Sequence, residues 1–244
     1  MQSKWQERNL TIDGSKQDWE NNLKYLKDEK VAVGITNDDE NLYLCLVVSE
    51  NQKIMNLLRS GFTIWLEPQS SDTEKFGIQY PIKGNNMVVQ DFSKRSKTID
   101  QRDIQEKLIN KILIEQNEFL VLNEDKYPLF TSPLNGDNGI EIKIGYEFKQ
   151  LVYELKIPLV SGKEGLLNIN TISNEEIKLG FVSEKMERPD RSRNAQMGNK
   201  GSGGGRSGGG GRRGGGMSGG QMPQRGRITM EPINFWVETV IASK

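Results

Sequence analysis

Two tryptophans stand beside carboxylates in segments that alternate between apolar and polar residues. In "GFTIWLEP", Trp65 and Glu67 take the positions opposite the apolar side chains. In "INFWVETVIA", Trp236 and Glu238 do the same. Aromatic rings stack on the C–H faces of sugar rings while carboxylates bond to their hydroxyls, so these four are the candidate ligand-binding residues. The alternative is that both tryptophans fill the second face of a sandwich or lie beneath a helix.

The residue types available argue against catalysis. The chain has no histidine and one cysteine, Cys45, which excludes Ser-His-Asp and Cys-His triads, internal disulfides and Cys-based zinc sites. A pair of carboxylates can hydrolyse glycosides, but nothing in the sequence pairs Glu67, Glu141, Glu154 and Glu238. We therefore expect a binding domain that is not an enzyme.

The acidic stretch "NDDEN", residues 37–41, offers clustered oxygens of the kind that calcium prefers. It lacks the spacing of an EF-hand loop, and Asn and Asp also favour tight turns. A hairpin turn is the favoured interpretation, and no metal ligands are assigned.

Period-two alternation dominates the chain and predicts half-buried strands. "KVAVGIT" and "LYLCLVV" flank the turn at 37–41 and predict a hairpin. Two short helices are expected, one over "SENQKIMNLLRSG" with Ser49 and Gln52 as a capping box and Gly61 ending it, the other over "DIQEKLINKIL". About nine or ten strands with no βαβ rhythm predict an all-β fold, an antiparallel β-sandwich of immunoglobulin or jelly-roll type. A closed lipocalin-like barrel is the alternative. The other predicted strands are "GFTIWLEP", "KFGIQYPI", "EFLVL", "GIEIKIGY", "LVYELKIPL", "IKLGFVSE" and "INFWVETVIA".

A glycine- and arginine-rich tract, Gly198–Arg227, precedes the last predicted strand. Because a strand follows it, the tract is interpreted as part of a flexible loop, residues 186–227, inserted in one domain spanning 1–244. Residues 185–227 hold ten Lys or Arg and two acids, a local +8, so the neutral chain carries −8 elsewhere. The tract has no Phe or Tyr for base stacking, and an acidic body repels phosphates. We expect a solvated spacer and no nucleic-acid partner; a weak polyanion or protein contact is the alternative.

Several phrases in order along the chain resemble family 9 carbohydrate-binding modules and the related DOMON-like β-sandwiches. They are "LTIDGSKQDWE", "VAVGITNDDENLYLCLVVSE", "GFTIWLEP" and "YELKIPL". The resemblance implies a carbohydrate (saccharide or polysaccharide) partner, no cofactor apart from a structural calcium, and scaffold roles for the phrases themselves. DOMON-like relatives bind haem through Met or His, and only Met or Lys is available for that here.

The resemblance also implies export, to the periplasm or the cell surface. "MQSKWQERNLTIDG" has no apolar signal-peptide core, which fits a mature domain without its leader. No stretch approaches the ~20 apolar residues of a membrane span. Three hypotheses follow: sugar binding on a strand face, a structural or protein-interaction sandwich, and haem or small-ligand binding.

Overall fold

The computed structural model describes residues 1–7, 10–69, 75–83, 101–134, 139–160, 168–184 and 231–244. The predicted loop at 186–227 lies outside the described residues. No described helix is long and apolar enough to cross a membrane. The strands are β1 (Lys4–Trp5), β2 (Leu23–Leu26), β3 (Val31–Asn37), β4 (Asn41–Val48), β5 (Phe62–Pro68), β6 (Phe76–Gln79), β7 (Glu118–Leu122), β8 (Pro128–Pro133), β9 (Glu141–Glu147), β10 (Gln150–Pro158), β11 (Glu176–Ser183) and β12 (Asn234–Val240). The helices are α1 (Asn51–Ser60), α2 (Gln101–Ile114) and a 3-10 turn (Gln17–Trp19).

The strands form two six-stranded sheets, which confirms the predicted β-sandwich. The first sheet has the order β1-β3-β4-β10-β9, with β2 also paired to β3. The second has the order β12-β11-β5-β6-β7-β8. All pairs are antiparallel except β1 with β3. The described residues contain twelve strands rather than the expected nine or ten, because β1, β2 and β8 are short or largely exposed and show no clear alternation.

The main core lies between the sheets and is built from the inward positions of the alternating strands. The predicted hairpin is confirmed: β3 pairs with β4, and the turn at 37–41 connects them. Val31, Val33 and Ile35 of β3 enter the main core. From the opposite sheet, Phe62 packs edge-on against Tyr153 at a ring-centroid distance of 5.2 Å. Burial of this apolar surface is the main stabilising term of the fold.

Helix α1 begins differently from the prediction. Its N-cap residue is Glu50, which has an extended backbone and makes no side-chain capping bond, so the capping box of Ser49 and Gln52 is wrong. The Ser49 hydroxyl instead accepts a hydrogen bond from the Gln150 amide. The other end agrees with the prediction, because Gly61 ends the helix at a positive φ of 83°.

Helix α2 packs beside the sandwich by its second half. Ile109 and Ile112 are buried in the main core. The helix over 103–113 is confirmed, and it extends over Gln101–Ile114. Ile104, Leu108 and Ile112 are spaced by four along this helix; Ile112 is buried, while the side chains of Ile104 and Leu108 are outside the described residues.

The outer face of the first sheet is covered by the N-terminal segment, residues 10–22. A second apolar cluster forms there, in which Leu10 and Trp19 pack on Tyr43, Cys45 and Val152. Because β4 is covered on both faces, "LYLCLVV" is apolar at nearly every position, as a fully buried strand must be.

A buried carboxylate fixes this covering segment. One oxygen of Glu154, on β10, accepts a hydrogen bond from Trp19 Nε1 at 2.6 Å. The other oxygen accepts from the backbone N–H of Asp13 at 3.0 Å and of Gly14 at 2.6 Å. Burial raises the pKa of Glu154, although the bonds from Trp19 and Gly14 oppose that rise. The "IDG…W" phrase therefore has a scaffold role, because its groups hydrogen-bond to a strand more than 130 residues away.

Replacing Glu154 by Gln tests this assignment. Since both carboxylate oxygens accept from N–H groups, an amide NH₂ at either position faces a donor and leaves it unsatisfied. We expect E154Q to lower the free energy of unfolding by about 2–3 kcal/mol, measured by urea denaturation. Glu147→Gln, at an exposed position of the neighbouring strand, is the control. Equal midpoints for the two variants would contradict the assigned role.

Candidate functional site

The four candidate residues project from the outer face of the second sheet. Trp236 on β12 pairs with Gly180 on β11, and Gly180 pairs with Trp65 on β5. Two positions further along the strands, Glu238 pairs with Lys178, and Lys178 with Glu67. Side chains in register across adjacent strands share a face, so the residues that the sequence analysis selected separately lie on one surface. We call this surface, formed by Trp65, Glu67, Lys75, Lys178, Trp236 and Glu238, the aromatic face.

Glycines opposite the tryptophans make the aromatic face flat. A Cβ atom at Gly180 would lie 2.6–2.7 Å from three atoms of the six-membered ring of Trp236. Nearly equal distances to three ring atoms mean that the ring lies face-on over the glycine. Gly77 on β6 has the same relation to Trp65, with its nearest ring atom at 2.9 Å. Each indole therefore covers a glycine of the neighbouring strand, as aromatic side chains do in sheets that contain glycine.

The two tryptophans differ in exposure. Trp236 is 38% exposed and lies on β12, the edge strand of the sheet. Trp65 is 4% exposed, because β5 lies inside the sheet. Trp65 also lines a small cavity with Leu122 and Pro128. Trp236 is therefore the accessible indole of the aromatic face, whereas Trp65 is a buried part of its support.

Two lysines that the sequence analysis did not select complete the aromatic face. The ammonium nitrogen of Lys75 lies 4.8 Å from the centroid of the Trp236 ring and 5.5 Å from that of Trp65. The ammonium nitrogen of Lys178 lies 5.4 Å from the Trp236 centroid. All three distances are within the range of cation–π attraction. Lys75 also forms an ion pair with Glu67, at 3.7 Å.

The sequence indicates only part of where these two lysines lie. Lys178 follows the same alternation that placed Gly180 on the outer face, so its side of the strand was predictable. Its position between Glu67 and Glu238 depends on the register of three strands, which alternation does not specify. Lys75 precedes β6, and no local pattern brings its side chain across β5.

The positive and negative charges of the aromatic face are equal in number. Two ammonium groups, Lys75 and Lys178, face two carboxylates, Glu67 and Glu238. Ammonium groups donate hydrogen bonds and carboxylates accept them, so both kinds of partner are present around one open ring. An arrangement with no net charge suits a neutral ligand rich in hydroxyl groups.

The turn at 37–41 does not fit a calcium site. One oxygen of Asp38 accepts from the backbone N–H of Glu40 and Asn41, at 2.8 and 2.7 Å, and the other accepts from the Tyr43 hydroxyl at 2.7 Å. Calcium takes six to eight oxygen ligands, whereas this carboxylate is already occupied within its own turn. No group of three or more acidic or Cys side chains suited to a metal occurs among the described residues.

A larger groove of about 1160 Å³ lies between α2 and the edge strand β9. Ile142, Ile144 and Leu113 form part of its apolar lining. Its aromatic lining residue among those described is Tyr80, which is buried. Glu141, at its rim, is paired with Lys156 at 2.7 Å. The groove has exposed polar lining residues, among them Asn110, Asn117 and Lys143, but among its described lining it lacks the accessible aromatic ring found on the aromatic face.

Comparisons with known proteins give limited similarity. No family model matches the sequence, and no curated protein matches it. Among solved structures, the chain is similar to a family 9 carbohydrate-binding module from Caldicellulosiruptor kristjanssonii in complex with glucose, with a TM-score of 0.37, 12% identity, and coverage of 76% of this chain and 78% of that one. It is also similar to a family 9 module from the same organism in complex with cellotriose, with a TM-score of 0.36, 12% identity, and 75% of each chain covered. Similarity at this level assigns neither a ligand nor a residue role to this chain.

The packing of Trp236 on Gly180 generates a prediction. A methyl group at position 180 must displace the ring, so we expect Gly180→Ala to lower the free energy of unfolding by about 1–3 kcal/mol. In a Trp236→Ala background the same methyl group meets no ring, and G180A should cost much less. Urea denaturation of the four proteins measures this coupling. Additive effects of the two substitutions would show that the ring does not rest on Gly180.

Proposed function

We propose that this protein binds carbohydrate on the aromatic face, with the open side of Trp236 as the stacking surface. The observation that supports the proposal is the indole itself: it is 38% exposed, flat against Gly180, and bordered by charged side chains from neighbouring strands. Such a ring offers its free side to the C–H face of a sugar without first having to be ordered. Glu67 and Glu238 then accept hydrogen bonds from sugar hydroxyls.

Trp65 has a supporting role in this proposal. Its ring is buried, so it does not offer a second stacking surface in the conformation described. It fills the space over Gly77 and, with Lys75, borders the region beside Trp236. The sequence led us to expect that Trp65 contacts the sugar directly. In this proposal Trp65 instead positions the side chains beside Trp236.

The contrast between the two sheets also favours this location. Residues 10–22 pack on the outer face of the first sheet, where Tyr43 and Trp19 of the covering segment are buried, while Tyr25 on β2 is exposed. On the second sheet, β11 and β12 carry an exposed aromatic ring with charged neighbours. A sugar needs both an accessible ring and unburied polar partners, and the aromatic face supplies both.

We further propose that the protein does not catalyse a reaction of the bound sugar. We also propose that it acts outside the cytoplasm, in the periplasm or at the cell surface. The absence of histidine removes the most common general base. Polysaccharides are encountered chiefly outside the cytoplasm, which makes export the expected location for such a module. Release of reducing ends from oligosaccharides would contradict the first statement, and recovery only from the cytosolic fraction would contradict the second.

Substitution of Trp236 tests the proposed binding. Titration calorimetry against a panel of methyl glycosides (glucose, galactose, mannose and xylose) and their oligosaccharides measures affinity in the full-length chain. We expect Trp236→Ala to weaken binding at least about tenfold, since the stacked face is lost. Trp236→Leu keeps apolar cover over Gly180 and separates loss of stacking from loss of stability.

Tyr25→Ala is the matched control for the Trp236 variants. Tyr25 is 59% exposed but stands on β2 of the first sheet, away from the proposed site. We expect Y25A to bind as the unmodified protein does. If no sugar on the panel binds to the unmodified protein, the chain is better described as a structural or protein-interaction sandwich.

A further inference from the structure

We propose that Lys75 and Glu67 act together as the specificity-determining pair of the aromatic face and that they recognise two adjacent hydroxyls of one sugar ring. This inference rests on the proposed function and names its ligand class: a neutral sugar with a free vicinal diol. The observation behind it is a charged donor, Lys75 Nζ, that lies 4.8 Å from the Trp236 ring centroid and 3.7 Å from a charged acceptor, Glu67 Oε2.

The separation of the two charged groups leaves both available for a ligand. Lys75 Nζ and Glu67 Oε2 are 3.7 Å apart, which is an ion pair but exceeds the range of an N–H···O hydrogen bond. The ammonium has three protons to donate, and the carboxylate has several lone pairs to accept with. Neighbouring hydroxyls of a sugar are spaced slightly closer than this pair, so one can accept from Lys75 while the next donates to Glu67.

The position of the pair relative to Trp236 matches a stacked sugar. Lys75 Nζ lies 4.8 Å from the centroid of the ring, so it is within reach of a ligand that stacks on the indole. Both side chains are partly covered: that of Lys75 is 25% exposed and that of Glu67 is 35% exposed. Partial burial reduces competition from water, which makes charged hydrogen bonds to a ligand more selective.

Lys178 does not offer the same arrangement. Its ammonium also lies near the Trp236 ring, at 5.4 Å, but it forms no ion pair with another of the described residues. It lies between Glu67 and Glu238 in the strand register and can donate to a hydroxyl, but neither carboxylate is within ion-pair distance of its ammonium among the described contacts. The recognition of a diol is therefore assigned to Lys75 and Glu67, with Lys178 as a single donor.

The test combines variants with sugars that lack one hydroxyl. Affinities are measured by calorimetry for the methyl glycoside that binds most tightly and for each of its monodeoxy analogues. In the unmodified protein, we expect removal of either hydroxyl of the recognised pair to weaken binding about tenfold. The parent glycoside should bind to Lys75→Met about tenfold more weakly than to the unmodified protein. The analogue that lacks the Lys75-bonded hydroxyl should bind to this variant no more weakly than the parent glycoside does. For Glu67→Gln we expect the same two results, with the analogue that lacks the hydroxyl bonded to Glu67.

The control is the ion pair of Glu141 and Lys156 on the first sheet, whose charged atoms are 2.7 Å apart. E141Q and K156M remove the same charges from the other sheet, and we expect neither to change the deoxy-sugar pattern. Because K75M keeps the apolar stem of lysine, it also keeps most of the cover over the two indoles.

The outcomes separate the inference from the proposed function. If Trp236→Leu weakens binding while K75M binds every analogue as the unmodified protein does, sugar binding stands and the diol inference is wrong. If K75M binds the parent glycoside more tightly, Lys75 merely occupies the ring face, and the inference is again wrong. If no glycoside binds at all, both fail together.

Discussion

The carboxylate of Glu154 determines which side of this sandwich remains accessible. It lies on β10 and accepts hydrogen bonds from Trp19 and from the backbone of Asp13 and Gly14, so it fastens the N-terminal segment over the first sheet. A buried carboxylate is costly unless its oxygens are satisfied, and these three donors satisfy it. With that face closed, the aromatic face of the second sheet is where an exposed indole meets exposed charges.

Packing of tryptophan on glycine recurs at three places and has a different result at each. Trp19 lies over Gly34, Trp65 over Gly77, and Trp236 over Gly180, in each case with ring atoms closer than 3 Å to where a Cβ atom would be. A glycine in a strand has no side chain to pack, and the indole of a neighbouring element fills the space that a side chain would occupy. The three rings differ in exposure. Trp19 is buried within the segment 10–22, Trp65 is buried on a central strand, and Trp236 is partly exposed on the edge strand.

The alternating pattern of the strands was sufficient to predict the fold and the face on which each candidate residue lies. "GFTIWLEP" placed Phe62 and Trp65 on opposite sides of one strand, and the structure has them so. Alternation has a period of two, which determines the side of a residue but not its partner across the sheet. The alignment of Trp236, Gly180 and Trp65 in one row is long-range register, and so is the approach of Lys75 to Trp236. The helix start failed for a related reason: Ser49 is compatible with a cap, but its hydroxyl bonds to Gln150, which is distant in sequence.

Trp65 and Trp236 have nearly the same local sequence environment, an aromatic residue two positions before a glutamate, and yet only one is accessible. The cause is strand order. β5 has neighbouring strands on both sides, and Trp65 covers Gly77 of β6 and lines a cavity with Leu122 of β7, whereas β12 is the edge strand of the sheet. Exposure of an outward aromatic residue therefore depends on how far its strand lies from the sheet edge, a property of topology rather than of local sequence. This places the open ring at the edge and leaves Lys75, which spans β5, as the side chain that connects the buried indole to the exposed one.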